Sequence, residues 1–300
     1  MDGLILVRKS SGPTSHDCVA RLRKILGIKK IGHFGTLDPF AEGLLLAGVG
    51  KATRLFPYFG FSDKTYDGRI RLGFATDTYD RTGNPSGPEA AGLPSGEAVV
   101  SMMARFLGEQ IQLAPPFSAK KLEGKPLYAY ARGGIEVERR PAQVRIERFA
   151  LRTYEPPDID FEVACSAGTY IRALAHDLGT ALGCGAHLYS LTRTSSGPYR
   201  LENARALEEI ETAAREGRGD SFLIPMEELL PGLSRIELTA AGRERVKSGR
   251  PVRLDDPGQV APFGVAPAPG GVIRLFGPDG RLAALARARE SEASPFLVLI

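Results

Sequence analysis

Cysteine is scarce in this sequence, with 3 residues among 300, namely Cys18, Cys165 and Cys184. An odd and sparse count argues against a disulfide framework and predicts a reducing compartment. Long apolar runs are also lacking, since residues 44–49 fall far short of the roughly 20 residues that a membrane-spanning helix needs. The N-terminal segment MDGLILVRKSSG has only a short apolar run before charge returns, which does not fit a signal peptide. We therefore expect a soluble, cytoplasmic protein that does not enter a membrane.

A strong excess of charge of one sign is also missing, because 39 Lys and Arg face 35 Asp and Glu, a net charge of +4. A hydrophobic content of 43% and a charged content of 25% are typical of a globular protein with a sizeable core. The positive charge is clustered in residues 118–148, where eight Lys and Arg face four Glu. Tyr128 and Tyr130 lie within this segment, and basic residues interleaved with aromatic ones favour binding of nucleic acid over a merely solvated face.

Several catalytic and binding motifs are absent. There is no GxSxG and no HExxH, so a serine hydrolase and a zincin lack support. The stretch GVGKAT resembles the end of a phosphate-binding loop, but Leu45 stands where that loop needs Gly and Ala52 where it needs Ser or Thr. Cys184 and His187 have the spacing of a metal-ligand pair, yet Cys165 upstream falls on the apolar face of a strand, so we expect no metal site.

Local patterns predict a chain of alternating strands and helices. Residues 4–8 and the run GLLLAGVG read as buried strands, and KATRLF as the start of a helix. Thr14 with Asp17 has the spacing of a capping box for a helix that ends near Gly27. Residues 66–72 and 159–165 alternate as strands, and residues 98–107, 171–182 and 203–216 read as helices. From about residue 233, short strand-like pieces separated by DG and PG turns predict a small β-rich domain of residues 233–300 after a first domain of residues 1–232.

Asp38 is the first candidate functional residue, within the stretch HFGTLDPFAEGLL of residues 33–45. Because Pro39 follows it, its backbone is restricted to extended geometry, and it does not belong to the middle of a helix. Gly35 and Gly43 flank it and permit sharp turns or close approach of a ligand. An Asp-Pro pair alone is more often a turn, and only the surrounding pattern favours a chemical role.

Arg172 is the second candidate, in the stretch GTYIRALAHDLG. It falls in the first turn of a helix, off the apolar stripe, where a cation faces the positive end of the helix dipole. A nearby carboxylate or phosphate would remove this unfavourable arrangement, whereas a solvated surface arginine remains the ordinary alternative.

Four blocks, in this order, resemble the TruB family of tRNA pseudouridine synthases. They are HFGTLDPFAEGLL, the Lys64-Thr65-Tyr66 segment, CSAGTYIRALAHDLG and CGAHLYSLTR, and the likeness extends over residues 4–200. The segment GVIRLFGPDGRLAALARA resembles the small PUA-like RNA-binding domain of that family. The resemblance implies an α+β fold, with a mixed, mainly antiparallel sheet flanked by helices and a small β-rich C-terminal domain. It also implies a basic RNA-clamping insertion at about residues 114–142.

The activity implied by the resemblance is isomerisation of a uridine in the T-loop of tRNA, at position 55, to pseudouridine, by a monomer that binds the T-arm and needs no cofactor. The base is flipped out of the folded loop, the glycosidic bond breaks, the base turns, and C5 rejoins the ribose. A carboxylate can support such cleavage, either by adding to a carbon or by removing a proton, and the sequence leaves both open.

The resemblance assigns roles to individual residues. Asp38 matches the essential aspartate, Arg172 its guanidinium partner, and Tyr66 the tyrosine that stacks on the flipped base and can assist proton removal from C5. His33 matches a residue that enters the T-loop when the target leaves it, and Leu191 an apolar residue near the base. Three lysines are further candidates for substrate contact: Lys64, Lys120 and Lys121. Phe34 stands where many relatives have a smaller residue, so that it adds either stacking or packing.

Three other functions compete with this one, of which nucleotide binding through Lys51 is disfavoured by the broken phosphate-loop pattern. A non-catalytic tRNA-binding chaperone would bind tRNA without changing any base. A glycosidase-like hydrolase would pair Asp38 with a second carboxylate, such as Asp77 or Asp177, and would release free base or sugar.

Overall fold

The structure is a computed structural model. It describes residues 1–59, 63–118, 121–122, 124–126, 130, 133, 135, 137–139, 141–262 and 268–300. None of the described helices is long and apolar enough to span a bilayer.

Twelve strands in the described part of residues 1–232 form one large sheet and one small hairpin. The strands are β1 (Gly3–Lys9), β2 (Ile31–His33), β3 (Glu42–Val49), β4 (Lys64–Leu72), β5 (Gly108–Leu113), β6 (Lys121–Leu122), β7 (Lys125–Pro126), β8 (Pro141–Glu155), β9 (Asp158–Cys165), β10 (Ala186–Ser196), β11 (Tyr199–Arg200) and β12 (Leu223–Pro225). The large sheet runs in the order β12-β1-β3-β10-β4-β9-β8-β5, with β2 paired to β3 and β11 to β10. Only the β3–β10 pair is parallel among these described strands, so the expected mixed, mainly antiparallel sheet is confirmed.

Helices flank this sheet, and single 3₁₀ turns connect some of its parts. The helices are α1 (Ser15–Leu26), α2 (Phe56–Phe59), α3 (Gly96–Ala104), α4 (Ile171–Ala181) and α5 (Leu207–Arg215), and the longest 3₁₀ segment is Gly50–Leu55. The expected capping box of α1 is confirmed, because the Thr14 hydroxyl accepts from the amide of Asp17 and the Asp17 carboxylate accepts from the amide of Thr14. The helix expected from KATRLF is instead a 3₁₀ segment followed by one short α-helical turn.

The central strands β1 and β3 are buried on both faces, which explains their unbroken apolar sequences. Ile5 and Val7 of β1 point into the core beneath the helices. Leu4 and Leu6 point to the opposite side, into a second cluster. A strand with only one buried face would alternate apolar and polar residues, as β4 does.

A second sheet follows in the described part of residues 233–300. Its strands are β13 (Ser234–Glu237), β14 (Val252–Arg253), β15 (Val272–Phe276), β16 (Leu282–Ala288) and β17 (Glu292–Val298), in the order β13-β15-β16-β17-β14, and helix α6 (Ala240–Lys247) packs beside it. Phe276, Leu285 and Leu299 of this part share a hydrophobic cluster with Leu4 and Leu6 of β1. The β-rich character expected for this part is confirmed, α6 was not anticipated, and the domain boundary near residue 232 stays a prediction.

The basic segment of residues 118–148 falls only partly within the described residues. Arg145 and Arg148 lie on the long strand β8 and pair with Glu147 and Glu162, so these two charges are neutralised within the sheet. Whether the rest forms an RNA clamp stays a prediction.

Candidate active site

The loop that carries Asp38 is fixed by backbone contacts along its length. The amide of Phe34 donates to the Leu46 carbonyl at 2.8 Å, which closes the loop onto β3. The amide of Ala41 donates to the carbonyl of Asp38 at 3.1 Å, so Asp38 opens a tight turn. The hydroxyl of Ser15, at the start of α1, donates to the carbonyl of Leu37 at 3.0 Å and accepts from its amide at 2.9 Å. The main chain of Asp38 is therefore a turn, and its side chain is free for another task.

A buried lysine, Lys9, donates hydrogen bonds to the backbone of the same turn. Lys9 is 1% exposed, and its Nζ donates to the carbonyls of Asp38, Pro39 and Ala41 at 3.2, 3.1 and 2.6 Å. Burial lowers the pKa of Lys9, and the nearby Cys18 and Asp38 partly oppose that change. The ammonium thus adds a donor to three nearby carbonyls of the turn, two of which also accept from backbone amides.

The Asp38 carboxylate forms a bidentate ion pair with Arg172. Nε of Arg172 lies 2.8 Å from Oδ2 of Asp38, and Nη2 lies 3.0 Å from Oδ1. The arginine side chain is 6% exposed and the aspartate side chain 33%. A planar guanidinium that holds both oxygens of a carboxylate fixes its orientation as well as its charge. The predicted partner of the cation in the first turn of α4 is thus an aspartate from a distant loop.

Further acceptors fix the guanidinium itself. Its Nη1 lies 3.3 Å from Oδ2 of Asp80 and donates to the Thr78 carbonyl at 3.0 Å, while Nη2 donates to the Phe117 carbonyl at 2.9 Å. Asp80 is buried and accepts from the amide and the hydroxyl of Thr82. Arg172 therefore has little freedom to turn away from Asp38.

Burial raises the pKa of the Asp38 carboxyl above its ordinary value. The charge and the hydrogen bonds of Arg172 oppose this effect, the negative charge of Asp80 adds to it, and Lys9 opposes it weakly. A carboxylate that is partly desolvated yet held ionised by a cation is the usual state of a reactive active-site carboxylate.

Asp38 and Arg172 lie at a cavity of about 310 Å³. Besides this pair, the cavity is lined by Phe34, Gly35, Thr36, Leu37, Phe56, Lys64, Tyr66, Gly168, Thr169, Tyr170, Ile171, Leu191 and Arg193. Aromatic and aliphatic groups thus surround one carboxylate, and three basic side chains are nearby. Such a lining suits a planar base attached to an anionic backbone.

Tyr66 is a buried, neutral phenol in this lining. Desolvation raises the pKa of Tyr66 to about 12, although Arg193 acts in the opposite direction. At neutral pH its hydroxyl keeps its proton, which favours a stacking role over that of a base. Burial also lowers the pKa of His33, which favours the neutral form of its imidazole.

The structure brings most of the expected site residues to one place. Asp38, Tyr66, Arg172, Lys64 and Leu191 all line the cavity. His33, on β2, does not belong to the described lining, although its neighbour Phe34 does. Lys120 lies outside the described residues, and of Lys121 only the main chain, in β6, is described.

Phe34 packs mainly against other aromatic rings. It is 3% exposed, and its ring lies 4.8 Å from that of Phe59 and 5.8 Å from that of Phe56. Of the two roles considered for Phe34, packing is the one that these contacts support. Phe56, which is 47% exposed, presents the open end of this aromatic cluster to the cavity.

Sequence reasoning missed three charged residues that complete the site, namely Lys9, Asp80 and Arg193. Lys9 and Arg193 are basic residues on strands whose neighbours are buried, and this was the signal available in the sequence. Asp80 had no such signal, because it lies in a loop rich in Asp and Thr. Asp77 and Asp177, considered as partners of Asp38, do not belong to the described lining of the cavity.

Within the described residues, no group of three or more His, Cys, Asp and Glu is arranged to hold a metal ion. His187, considered with Cys184 as a ligand pair, directs Nδ1 to the carbonyl of Phe74 at 3.1 Å.

Known proteins resemble this chain over almost its whole length. A family model of the N-terminal domain of the TruB family pseudouridylate synthases matches residues 23–171, and one of the tRNA pseudouridylate synthase B C-terminal domain matches residues 172–231. The tRNA pseudouridine synthase B of Geobacter sulfurreducens is 43% identical over 85% of this chain and 84% of its own length. That of Burkholderia pseudomallei is 41% identical over 98% and 96%.

Solved structures give the same picture. A Cbf5-Nop10-Gar1 complex contains a chain that is 27% identical, with a TM-score of 0.75, over 99% of this chain and 85% of that one. An H/ACA RNP bound to a substrate RNA containing 2'-deoxyuridine contains a chain that is 25% identical, with a TM-score of 0.74, over 99% and 85%.

The mixed sheet, the carboxylate–arginine pair at its cavity and these matches define an enzyme of the pseudouridine synthase class, an isomerase that modifies RNA. The chain belongs to the TruB family of tRNA pseudouridine synthases.

Proposed function

We propose that this enzyme converts the uridine at position 55, in the T-loop of tRNA, to pseudouridine, with Asp38 as the essential catalytic carboxylate. The observation that carries the proposal is the bidentate Asp38–Arg172 pair at a cavity lined by Tyr66 and Leu191. Membership of the TruB family supports isomerisation of a tRNA uridine as the reaction. The site supplies a carboxylate that is held in one orientation beside a cavity that can accept one base.

The target base leaves the folded loop before it reacts, because a stacked and paired base cannot enter a cavity of about 310 Å³ at the surface of the protein. In the cavity, the ring of Tyr66 and the side chain of Leu191 offer apolar surfaces for the two faces of the base. His33, which precedes Phe34 of the lining, takes the space that the flipped nucleotide leaves in the loop.

The reaction is an isomerisation that needs no oxidant or reductant. The bond between N1 and C1′ breaks, the detached uracil turns, and a bond between C5 and C1′ forms. A proton leaves C5 and N1 gains one, so the products have the same atoms as the substrate. Asp38 supports the cleavage from the sugar side, as a carboxylate does when a glycosidic bond breaks.

Arg172 keeps this carboxylate ionised and directed. Its own position is fixed by Asp80 and by two backbone carbonyls, so the pair is organised before the substrate arrives. Such preorganisation avoids the cost of orienting the carboxylate during the reaction.

Basic side chains account for binding of the RNA backbone. Lys64 lines the cavity itself, and we propose that Lys120 and Lys121, in the basic insertion, contact the T-arm of the tRNA. A structural relative was solved with a substrate RNA containing 2'-deoxyuridine, which supports RNA as the ligand of this fold. We further propose that the enzyme acts as a monomer, with sedimentation of the tRNA complex as the check.

The test is pseudouridine mapping on unmodified tRNA. Wild-type enzyme should modify a single T-loop uridine, whereas Asp38→Asn should still bind tRNA and form no pseudouridine. Asp77→Asn and Asp177→Asn are matched controls, because they remove carboxylates that do not belong to the described lining, and both should retain activity.

Substantial turnover by Asp38→Asn would contradict the role of Asp38. Modification of another uridine would contradict the site in the tRNA but leave the enzyme class intact. Release of free uracil, or loss of activity on substitution of Asp77 or Asp177, would favour the hydrolase instead.

A further inference from the structure

Arg193 is a buried cation for which the reaction proposed above has no role. It lies on β10 and is 1% exposed, yet among the ion pairs of the described residues none includes it. Burial of a charge without a partner of opposite sign costs several kcal/mol unless hydrogen bonds replace its hydration. Such a residue therefore calls for an account of what its guanidinium holds.

The guanidinium holds the carbonyls of the loop that carries Asp38. Nε donates to the carbonyl of Leu44 at 2.7 Å, Nη2 to that of Gly35 at 3.2 Å and Nη1 to that of Thr36 at 3.4 Å. Gly35 and Thr36 precede Asp38, and Leu44 follows it. One planar group thus ties the entrance of the loop to its exit.

The main chain of Arg193 fixes the same loop at a second point. In the parallel pairing of β3 and β10, Arg193 lies opposite Gly43. Gly43 has a φ of +103°, and a Cβ there would lie 2.4 Å from the carbonyl oxygen of Arg193. Only glycine permits this approach, so the exit of the loop is pressed directly against the strand that carries the arginine.

Arg193 also reaches the other side of the cavity. In the antiparallel pairing of β10 and β4 it lies opposite Tyr66, and both side chains line the cavity. The cross-strand position brings the two side chains to the same face of the sheet. The charge of Arg193 acts on the Tyr66 hydroxyl, where it opposes the burial that raises the pKa of that group.

We propose that Arg193 is a positioning residue for pseudouridine formation, which joins the Asp38 loop and the Tyr66 ring into one rigid unit beneath the base. The proposal rests on the proposed function, because it concerns the same cavity. A lysine cannot replace this arrangement fully, since a single ammonium group cannot span the carbonyls of Gly35, Thr36 and Leu44 as a guanidinium does.

Two substitutions test the proposal, Arg193→Lys and Arg193→Gln, in the full-length enzyme with unmodified tRNA. We expect kcat to fall about ten- to a hundredfold, because small displacements of reacting groups cost factors of this size. KM for tRNA should change by less than about threefold, because Arg193 is 1% exposed and its guanidinium holds backbone carbonyls rather than the surface. The loss should be smaller for Lys, which keeps the charge, than for Gln.

Arg274 provides a matched control. It is 8% exposed, and its guanidinium likewise donates to backbone carbonyls, those of Leu229 and Leu233 at 3.1 Å each, but it does not belong to the described lining of the cavity. Arg274→Lys should lower the thermal stability in a similar way and leave kcat unchanged. A purely structural role for Arg193 predicts that both lysine variants behave alike.

The second readout is a double-mutant cycle with Tyr66→Phe, measured in single turnovers. If Arg193 acts partly through the hydroxyl of Tyr66, Arg193→Lys should cost less in the Tyr66→Phe background than in the wild type. Equal costs in both backgrounds, or a kcat for Arg193→Lys no lower than that for Arg274→Lys, would overturn the proposal. Failure of the proposed function is recognised separately, because wild-type enzyme would then form no pseudouridine at position 55.

Discussion

Removal of the guanidinium of Arg172 should damage both the stability and the chemistry of the site. Arg172→Met keeps the length and the apolar part of the side chain. It removes two contacts to Asp38, one to Asp80 and two to the carbonyls of Thr78 and Phe117. Two carboxylates then remain close together without their shared cation.

The expected loss follows from the burial of this pair. Because the arginine side chain is 6% exposed, its loss should lower the free energy of unfolding by about 3–5 kcal/mol at pH 7, the range for breaking a buried ion pair. Arg172→Lys should cost less, since it keeps the charge but not the bidentate geometry. Arg21→Met, which removes an exposed pair with Glu208 and Glu211, should cost no more than about 1 kcal/mol.

The pH dependence gives a sharper test. Burial already raises the pKa of Asp38, and the main opposing influence is Arg172. In Arg172→Met this pKa rises further above that of the unfolded chain, so the folded variant takes up a proton as the pH falls. The variant therefore gains stability relative to the wild type on acidification, and the difference between them shrinks.

Urea denaturation at pH 7 and at pH 5 measures the loss of unfolding free energy and its decrease on acidification. The pH profile of pseudouridine formation reports the pKa of the catalytic carboxyl. The acid limb of that profile should lie above the ordinary range for an aspartate, and at still higher pH in Arg172→Lys if the lysine holds the carboxylate less closely. A penalty for Arg172→Met that equals that of Arg21→Met, or that grows as the pH falls, would refute the reasoning.

Two further predictions concern residues that the sequence did not mark. Lys9→Met removes the ammonium that donates to the carbonyls of Asp38, Pro39 and Ala41, together with a buried charge, so the free energy of unfolding should fall by about 1–3 kcal/mol and kcat should fall with it. If Lys9→Met unfolds at the same urea concentration as the wild type and its kcat is unchanged, the turn does not need the Lys9 ammonium. Phe56→Ala removes an exposed ring at the cavity, so KM for tRNA should rise about three- to tenfold through lost base stacking while stability stays within about 1 kcal/mol. Phe56→Tyr, which keeps the ring, should restore KM, and an unchanged KM for Phe56→Ala would exclude contact with the RNA.

Local sequence predicted the elements whose cause is local. Thr14 and Asp17 cap α1 because both partners lie within one turn. The apolar runs of β1 and β3 predicted buried strands, and the alternation of residues 66–72 predicted the half-buried β4. In contrast, KATRLF forms a 3₁₀ segment, since helical composition over so few residues does not decide between the two geometries.

Asp38 shows the limit of local reasoning. The sequence posed a choice between a turn residue and a reactive carboxylate, and the structure shows that its carbonyl takes part in a turn while its carboxylate faces Arg172. The two functions use different atoms of one residue, so evidence for the turn never counted against the carboxylate.

By itself the sequence determined the family, the class of reaction, and the residues whose motifs are continuous in the chain. Only the tertiary structure decided what holds those residues in place, because the contacts of Arg172, Arg193 and Lys9 join positions far apart in sequence. A charged residue on a buried strand face indicates that some partner exists, but its identity depends on which strands become neighbours. The pairing of β10 with both β3 and β4 brings Arg193 between Gly43 and Tyr66, and no local pattern encodes that arrangement.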